Sequence, residues 1–461
     1  MRPHTAPTAF ALALLPLLGC GPDDTRVSPA PSSAGVGGLC ASAVSPRNIR
    51  VVWQAEDSGF VRIERASLPG PFAQVSLKPI ERGRFLDLAL SPGTTYQYRV
   101  WRCARESACH SPVTLAPVTT PWSPIEGFHV EVAAQGTEDN IAIFGLETAT
   151  PNSINEAHVV GVDRQGVIVW EYFREGESIG PATEVHLLPD GTLVSAMNSF
   201  FVHLDLDGTR IYRYEGNTAH HNIKSISGGR FIFLFFDVFS DAVGDPILGD
   251  GIEIIRYGDQ FPLWSWRSRD HIPLADRDPI DWDEIVLGVG RDWTHANAVT
   301  FDEERSQIYF NVRNLNRIYC LSYPSGDILW TLGDGGDFGA GLFSHSHTPL
   351  FLSESRFLLF DNGLHRPGTT EEYSRIIEIE FDPVAKHAEI VWEYRESPDF
   401  FAFAQGSVAL EPNGNIFVGD GINGRLFEIT RGKKKVWQLR FPPQVWSYKA
   451  ITAPRKVFEA W

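Results

Sequence analysis

Three well-separated segments of the sequence place histidine or arginine beside apolar strands: His220-His221, His295 with Arg313, and His347. Arginine carries a permanent planar charge suited to a sulfate- or phosphate-like anion, and imidazole can donate hydrogen bonds or attack as a nucleophile. An imidazole that attacks sulfur or phosphorus forms a covalent intermediate, while neighbouring cations stabilise charge on the oxygens. The set therefore favours group transfer. A metal ion held by three imidazoles is the competing interpretation.

These residues stand at equivalent positions of a repeated pattern of apolar hairpins. The corresponding positions of other hairpins are occupied by Pro181-Ala182-Thr183, Gln405-Gly406-Ser407, Asn198, Asp237, Asp361 and Asp420. If the hairpins close into a ring, both sets face one mouth of its central channel. A single histidine is more often a hydrogen-bonded structural residue, but the matching register of the whole set favours a site. Either His220 or His221 is expected to face inward.

The elements that must position these residues form an internal repeat that begins at about residue 125. An ending marked by Trp or Tyr recurs at residues 166–172, 208–214, 261–266, 326–330, 389–394 and 434–437. A second apolar hairpin, such as residues 186–194, falls between consecutive endings, so each repeat supplies four strands. Sustained helical periodicity is missing. The sequence predicts an all-β fold in which residues 125–461 form a six-bladed β-propeller.

The N-terminal segment is typical of an export signal. A basic start leads into an apolar stretch that is too short to span a membrane and that ends at Gly19-Cys20. The segment resembles a lipobox, which implies a signal peptide over 1–19, a lipid on Cys20 that anchors the chain to a membrane, and, because Gly21 follows, the outer membrane as location. Residues 20–38 are rich in Pro, Ser and Gly and are predicted to be a flexible tether.

Residues 39–120 are predicted to form a small β-sandwich. Alternating apolar runs are separated by turn residues, with Trp53 on an early strand and Tyr96 and Tyr98 on a late one. This pattern resembles a fibronectin type III domain, in which such a Trp and Tyr pack the core. Because the segment shows no cluster of acids, bases or ligands, a spacer or docking role is expected.

Charge and cysteine content restrict the partners and the compartment. The 461 residues carry a formal net charge of -17, which leaves no basic face for nucleic acid, so no nucleic-acid partner is expected. Cys320 lies in an apolar strand. Two of Cys40, Cys103 and Cys109 are expected to pair in an oxidising compartment, and we favour Cys103 with Cys109. The sequence does not indicate an oligomeric state.

Several motifs of the repeat together resemble the bacterial arylsulfate sulfotransferase family. They are Asp292-Trp293-Thr294-His295-Ala296-Asn297-Ala298, Ile308-Tyr309-Phe310-Asn311-Val312-Arg313, His345-Ser346-His347-Thr348, Leu358-Leu359-Phe360-Asp361-Asn362-Gly363 and Tyr373-Ser374-Arg375. The resemblance implies an exported six-bladed propeller enzyme that moves a sulfuryl group from a phenolic sulfate to a phenol without a nucleotide donor. Phenols and aryl sulfates would then be its small-molecule partners, and no cofactor or metal ion is expected.

The resemblance also implies roles for individual residues. His347 would be the nucleophile that becomes sulfohistidine in a ping-pong reaction. His295, His221 and Arg313 would bind the sulfuryl oxygens and help the phenolate to leave. Further candidates for substrate binding are His220, Asn297 and Asp361.

Two departures and one alternative accompany this interpretation. The fibronectin-like domain differs from the N-terminal domain of the best-described members, which puts a shared oligomer in doubt. Asn314 stands where those members often have His, which bears on acceptor choice. A lipid-anchored propeller that binds a ligand or partner protein without catalysis would have the same fold. Phe400, Phe401 and Phe403 line an aryl pocket or belong to the core, and the core is favoured.

Overall fold

The computed structural model describes residues 38–56, 58–133, 135–148, 157–174, 182–196, 201–214, 216–278, 280, 282, 285–286, 288–339 and 341–459. The predicted signal peptide and almost all of the predicted tether, with the lipidated Cys20, lie outside these residues, as do Pro181 and Asn198. The described chain divides into two compact units. None of its helices is long and apolar enough to cross a membrane.

The first unit contains residues 38–43, 49–87 and 94–119. The strands that lie wholly or mainly in it are β1 (Cys40–Ser45), β2 (Asn48–Val52), β3 (Phe60–Ser67), β4 (Ala73–Pro79), β5 (Arg84–Asp87), β6 (Thr95–Arg105), β7 (Ala108–Cys109), β8 (Val113–Thr114) and β9 (Val118–Thr119). They form one sheet of β1, β2 and β5 and a second in which β4, β3, β6 and β7 follow one another, with β8 and β9 also paired to β6.

The core of this unit contains the predicted aromatic residues. Trp53 and Tyr98 are buried; the indole N–H of Trp53 donates to the carbonyl of Ile80 at 2.7 Å, and the hydroxyl of Tyr98 donates to Asp87 at 2.8 Å. The favoured disulfide, Cys103–Cys109, joins paired residues of β6 and β7. The fibronectin type III assignment stays a prediction.

The second unit contains residues 44–48, 88–93 and 120–461. Its strands are β10 (His129–Val132), β11 (Asn140–Thr148), β12 (Ala157–Val162), β13 (Ile168–Arg174), β14 (Glu184–Leu187), β15 (Leu193–Ala196), β16 (Phe201–Leu204), β17 (Arg210–Tyr214), β18 (Ala219–Ile226), β19 (Arg230–Ser240), β20 (Pro246–Arg256), β21 (Trp264–Arg267), β22 (Ile285–Val286), β23 (Gly290–Asp292), β24 (Ala296–Asp302), β25 (Gln307–Val312), β26 (Arg317–Ser322), β27 (Ile328–Gly333), β28 (His347–Ser353), β29 (Arg356–Asp361), β30 (Arg375–Asp382), β31 (His387–Tyr394), β32 (Ser407–Leu410), β33 (Ile416–Asp420), β34 (Arg425–Ile429), β35 (Lys435–Arg440) and β36 (Val445–Pro454). Two short helices, α1 (Ser268–His271) and α2 (Arg455–Glu459), accompany them.

These strands form six sheets of at least four strands within the described part of the chain, and each sheet is one blade. From the inside outward, blade 1 is β36, β11, β12 and β13, and blades 2 to 6 begin at β14, β18, β24, β28 and β32. The innermost strands contact one another in that order and return to β36, which closes the ring. The predicted all-β, six-bladed propeller is confirmed.

The recurring aromatic endings lie on the fourth strand of each blade, counted from the channel, and several of them connect neighbouring blades. Their indole N–H groups donate to a carbonyl in a turn of the next blade; we call these contacts the indole staples. The staples are Trp170 to Leu206 at 2.6 Å, Trp266 to Gly326 at 3.0 Å, Trp392 to Arg431 at 3.0 Å and Trp437 to Arg164 at 3.0 Å. In blade 2 the hydroxyl of Tyr212 makes the corresponding contact with the carbonyl of Asp259. The repeat pattern therefore reflects blade packing.

Apolar side chains fill the space between the blades. One cluster combines Ile252 and Trp266 of blade 3 with Phe310 of blade 4, and another combines Phe144 of blade 1 with Phe417 of blade 6. Because alternate residues of a strand face opposite sides of its sheet, every strand contributes to two such layers. These layers fix the blades around the channel.

Candidate active site

The innermost strands of blades 3, 4 and 5 are each interrupted by a β-bulge at the end that carries histidine. The register shifts after His220 in β18, after Ala296 in β24 and after His347 in β28. Beside these bulges, His221 and His295 adopt left-handed backbone angles, with φ of 50° and 46°. Such angles cost about 1–3 kcal/mol for a residue other than glycine and are concentrated at functional sites. The bulges aim side chains at new directions that a regular strand would not allow.

Hydrogen bonds between blades hold these strand ends at one mouth of the channel. The backbone N–H of His221 donates to the Thr183 hydroxyl of blade 2 at 3.1 Å. Asn297 of blade 4 donates to the carbonyl of Ser346 at 3.0 Å, and Thr348 of blade 5 donates to the carbonyl of Gly406 at 3.0 Å. The structure thus joins the residues that the sequence placed in register.

The imidazole of His347 has a defined tautomer. Its Nδ1 lies 2.7 Å from Oδ1 of Asn362. The amide nitrogen of Asn362 donates to the carbonyls of Ala402 and Gln405, at 2.8 and 2.9 Å, which fixes the amide oxygen toward His347. Because that oxygen can only accept, Nδ1 of His347 carries the proton, and a neutral ring has its lone pair on Nε2.

The surroundings of His347 keep the ring neutral. Burial lowers the pKa of His347 well below its ordinary value, and the charges of Arg313, His295 and Lys449 lower it further, against the hydrogen bond that Nδ1 donates to Asn362. Burial disfavours the protonated imidazole because it removes that cation from water. His347 therefore presents a neutral imidazole with the lone pair on Nε2, the form of the ring that can act as a nucleophile.

His295 differs from His347 because it has an acidic partner. Its Nδ1 hydrogen-bonds to the carboxylate of Asp292, three residues earlier. Burial works to lower the pKa of His295, but the charge and hydrogen bond of Asp292 outweigh it, and the pKa is raised. The site thus combines a neutral imidazole at His347 with one at His295 that favours the protonated form.

His221 is the inward member of the histidine pair. Its ring lies 5.3 Å from that of His295, centroid to centroid, and burial together with His220 and His295 lowers its pKa well below the ordinary value. The ring of His220 instead stacks on Phe236 at 3.8 Å, and its Nε2 lies 2.9 Å from Asp250. Nδ1 of His220 and Nδ1 of His221 are 2.8 Å apart. His220 thus contacts His221 and is itself held by Phe236 and Asp250. Its role as a substrate ligand stays a prediction.

Arg313 is oriented by Asn314, the residue that follows it in the chain. Nη1 of Arg313 donates to Oδ1 of Asn314 at 2.6 Å, and the Asn314 amide donates to the carbonyl of Asp292 at 3.1 Å. After burial, the charge of Arg313 is among the causes that lower the pKa of His347 and that oppose the raised pKa of His295. Asn314 therefore links Arg313 to the backbone of Asp292, the residue whose carboxylate raises the pKa of His295.

The other two predicted substrate ligands have structural partners. Oδ1 of Asn297 accepts from Asn311 at 2.6 Å, in addition to the contact of its amide nitrogen with Ser346. Asp361 is fully buried and accepts from Arg366 at 2.8 Å and Arg375 at 2.7 Å. Asp237 and Asp420, at equivalent positions of other blades, also pair with arginines. Substrate binding by Asn297 and Asp361 stays a prediction.

Sequence reasoning missed four residues that complete the site: Asp292, Asn362, Asp250 and Lys449. Asp292 and Asn362 stand inside motifs that drew attention, and their spacing from His295 and from the end of β29 was an available signal. Asp250, which accepts from the backbone N–H of Ala296 at 2.7 Å, and Lys449 reach the site from distant strands, so no local pattern indicated them.

The phenylalanines before blade 6 divide between core and surface. The Phe400 ring packs edge-on against Phe360 and Phe427 within the core, as favoured. Phe403 is 52% exposed, and its carbonyl lies 3.4 Å from Nη2 of Arg313. Phe403 is therefore the member of this group that stands beside the site.

The competing metal interpretation has no matching geometry in the described residues. There, no group of three or more His, Cys, Asp or Glu side chains is arranged to hold a metal ion. His220, His295 and His347 instead contact Asp250, Asp292 and Asn362, respectively.

Comparison with known proteins identifies the propeller sequence. A family model described as Arylsulfotransferase (ASST) matches residues 130–445. No curated protein sequence matches the chain. Similar solved structures include a protein of unknown function from Bacteroides caccae, with 12% identity, a TM-score of 0.43 and coverage of 68% of this chain and 99% of that one. A streptogramin B lyase has 12% identity, a TM-score of 0.37 and coverage of 68% and 88%. A Kuenenia stuttgartiensis hydrazine synthase has 10% identity, a TM-score of 0.34 and coverage of 62% and 79%.

Proposed function

The chain belongs to the arylsulfotransferase (ASST) family and is a sulfotransferase enzyme; from this premise we propose that it moves a sulfuryl group from a phenolic sulfate ester to a phenol by a ping-pong reaction through His347. The observation that carries the proposal is the orientation of His347, whose Nδ1 donates a hydrogen bond to Oδ1 of Asn362, with 2.7 Å between the two atoms. That contact leaves Nε2 as the reactive nitrogen of a buried, neutral ring.

In the first half-reaction, Nε2 of His347 attacks the sulfur of the aryl sulfate. The nitrogen–sulfur bond forms as the bond between sulfur and the phenolic oxygen breaks, and the phenolate leaves with that electron pair. Arg313 and protonated His295 neutralise charge on the sulfuryl oxygens, and the imidazolium of His295 can pass its proton to the phenolate. The products are a phenol and sulfohistidine.

In the second half-reaction, an acceptor phenol attacks the same sulfur. Its proton returns to His295, which is neutral after the first step and is oriented as a base by Asp292. The nitrogen–sulfur bond breaks, and its electron pair restores the lone pair of His347. His221 adds a neutral hydrogen-bonding group 5.3 Å from the His295 ring. No nucleotide or other donor is needed, because the ester supplies the sulfuryl group.

Release of 4-nitrophenol from 4-nitrophenyl sulfate, with and without added phenol, tests this function. We expect phenol-dependent release that survives a metal chelator and falls at least a hundredfold in His347→Asn. His365→Asn, which changes a partly exposed histidine of the neighbouring loop, is the matched control and should keep the wild-type rate. Release that persists in His347→Asn would refute the nucleophile. Absence of release with a range of phenols would favour a propeller that only binds a ligand or partner.

We also propose that the protein is exported and held at the outer membrane by a lipid on Cys20. The Cys103–Cys109 disulfide supports an oxidising compartment. Cys20→Ser should move the protein from the membrane fraction to a fraction that needs no detergent, and metabolic labelling with a fatty acid should be lost. Retention of the label in Cys20→Ser would contradict the anchor, and Cys320→Ser, a buried position, serves as control.

A further inference from the structure

One buried side chain of the channel, Lys449, takes no part in the proposed reaction. Lys449 lies on β36, in blade 1, where a register shift opposite residues 144–146 makes a fourth bulge. It is only 6% exposed. The position follows residue 445, at which the family match ends, so the match says nothing about Lys449.

The ammonium of Lys449 connects blade 1 with three other blades. It donates to the carboxylate of Glu184 in blade 2 at 3.0 Å, to the carbonyl of His221 in blade 3 at 2.9 Å and to the carbonyl of Asn297 in blade 4 at 2.6 Å. Three acceptors require three N–H donors, which only the charged ammonium supplies. Lys449 therefore reaches as a cation from blade 1 to the backbones of His221 and Asn297.

Two of these acceptors belong to the backbone that positions imidazoles. The carbonyl of His221 is part of a residue held at a φ of 50°, and Asn297 stands two residues after His295, whose φ is 46°. A strained backbone persists only where the surrounding contacts fix it. The ammonium supplies such contacts to both segments at once.

The same charge acts on the rings themselves. Burial, His220 and His295 lower the pKa of His221 most, and Lys449 lowers it further. Burial, Arg313 and His295 lower the pKa of His347 most, and Lys449 adds to the same effect. Asn362 is the hydrogen-bonding group that opposes this effect at His347. The positive charge of Lys449 thus favours the neutral forms of His221 and His347.

We propose that Lys449 is a positioning residue of the sulfuryl-transfer site: through three hydrogen bonds it fixes the backbones beside His221 and His295, and its charge keeps His347 in the nucleophilic form. The inference rests on the proposed function. It assigns to a residue outside the matched family region the task of setting both the geometry and the protonation of the site.

The test compares Lys449→Met with Lys224→Met. Lys224 is a half-buried lysine on β18, the innermost strand of blade 3. Its ammonium donates to the Thr300 hydroxyl at 2.9 Å, and burial lowers its pKa while the charge of Glu184 works to raise it. In Lys449→Met we expect kcat for 4-nitrophenyl sulfate transfer to fall at least tenfold with a smaller change in KM. The acidic limb of the pH profile should move to higher pH by on the order of one unit, because loss of a nearby cation raises the pKa of the nucleophile. Lys224→Met should leave that limb in place.

A second variant and a second measurement keep the outcome decisive. Lys449→Met alone leaves the Glu184 carboxylate buried without its cation, which destabilises the fold. The double variant Lys449→Met with Glu184→Gln removes both charges, so we expect it to fold. Proton–nitrogen NMR of ¹⁵N-histidine protein, with the His347 signal assigned from His347→Asn, measures the imidazole pKa without substrate. An unchanged His347 pKa in the folded double variant would overturn the inference, even if transfer activity is absent. Wild-type protein without transfer activity, but with the expected NMR shift, would overturn the proposed function instead.

Discussion

At the scale of single residues, the site works because chemically identical side chains have different partners. His347 is neutral because it is buried and the charge of Arg313 adds to that effect, whereas His295 favours the protonated form because Asp292 offers it a carboxylate. The assignment of acid and nucleophile follows from environments that separate the pKa values of like groups. Residue type alone could not distinguish these two histidines.

This separation predicts the effect of Asp292→Asn. Without the carboxylate, burial and Arg313 lower the pKa of His295, so the imidazolium that assists phenolate departure is lost at a lower pH. Because the group must be protonated to act, the alkaline limb of kcat for the donor half-reaction should shift to lower pH. At pH 7 kcat should fall by about one to two orders of magnitude.

Asp302→Asn provides the matched control for that measurement. Asp302 lies at the far end of β24, the strand that begins directly after His295, and pairs with Arg305 near the surface. Its variant should keep the wild-type pH profile. A wild-type alkaline limb in Asp292→Asn would show that His295 does not act as an acid.

At the scale of elements, the repeated Trp is a blade-to-blade contact. The staple of Trp437 joins blade 6 to blade 1, where the first and last parts of the unit meet, and the indole also lies beneath the guanidinium of Arg164. Loss of one staple leaves a buried carbonyl without its donor and a small cavity. The repeat visible in the sequence was thus correct as a marker of blades, and its cause is packing.

Trp437→Phe should therefore lower the free energy of unfolding by about 1–3 kcal/mol. Urea denaturation followed by circular dichroism measures this change. Trp122→Phe, at a position 68% exposed, should change stability by less than about 0.5 kcal/mol. Equal midpoints for the two variants would mean that the staple contributes nothing measurable.

At the scale of the whole molecule, closure of the ring and completion of the site depend on the same strand. β36 pairs with β11 to complete blade 1, and its Lys449 reaches blades 2, 3 and 4. A propeller without this strand would expose the edge of β11 and leave neighbouring apolar layers open. Folding of the ring and assembly of the site are thus coupled.

Deletion of residues 445–461 should therefore abolish the cooperative thermal transition of the propeller. Deletion of 455–461 alone removes α2, whose Phe458 ring lies 6.3 Å from that of Trp170, and should only lower the midpoint. Differential scanning calorimetry of both truncated proteins checks this. A cooperative transition near the wild-type midpoint in the longer deletion would show that β36 is not needed for closure.

Local patterns in the sequence were sufficient to predict the all-β class, the blade number, and the histidines and arginine that occupy equivalent positions of the repeat. These features depend on local periodicity: alternation of apolar residues marks strands, and equivalent positions of a repeat take equivalent places in the ring. Among Cys40, Cys103 and Cys109 the sequence left the pairing open, with Cys103–Cys109 favoured, and the structure contains that disulfide. Such properties are written into neighbouring residues.

The folded ring was needed to establish which of His220 and His221 faces inward and which imidazole favours its protonated form. It also revealed that Lys449 and Asp250 contact the segments that carry the site. These outcomes depend on residues far apart in the chain, such as Lys449 and the carbonyl of His221, and on burial that only the closed ring creates. The pKa of an imidazole is set by its solvation and its nearest charges. Neither can be read from a linear sequence, because both arise when separate blades bring their strand ends together.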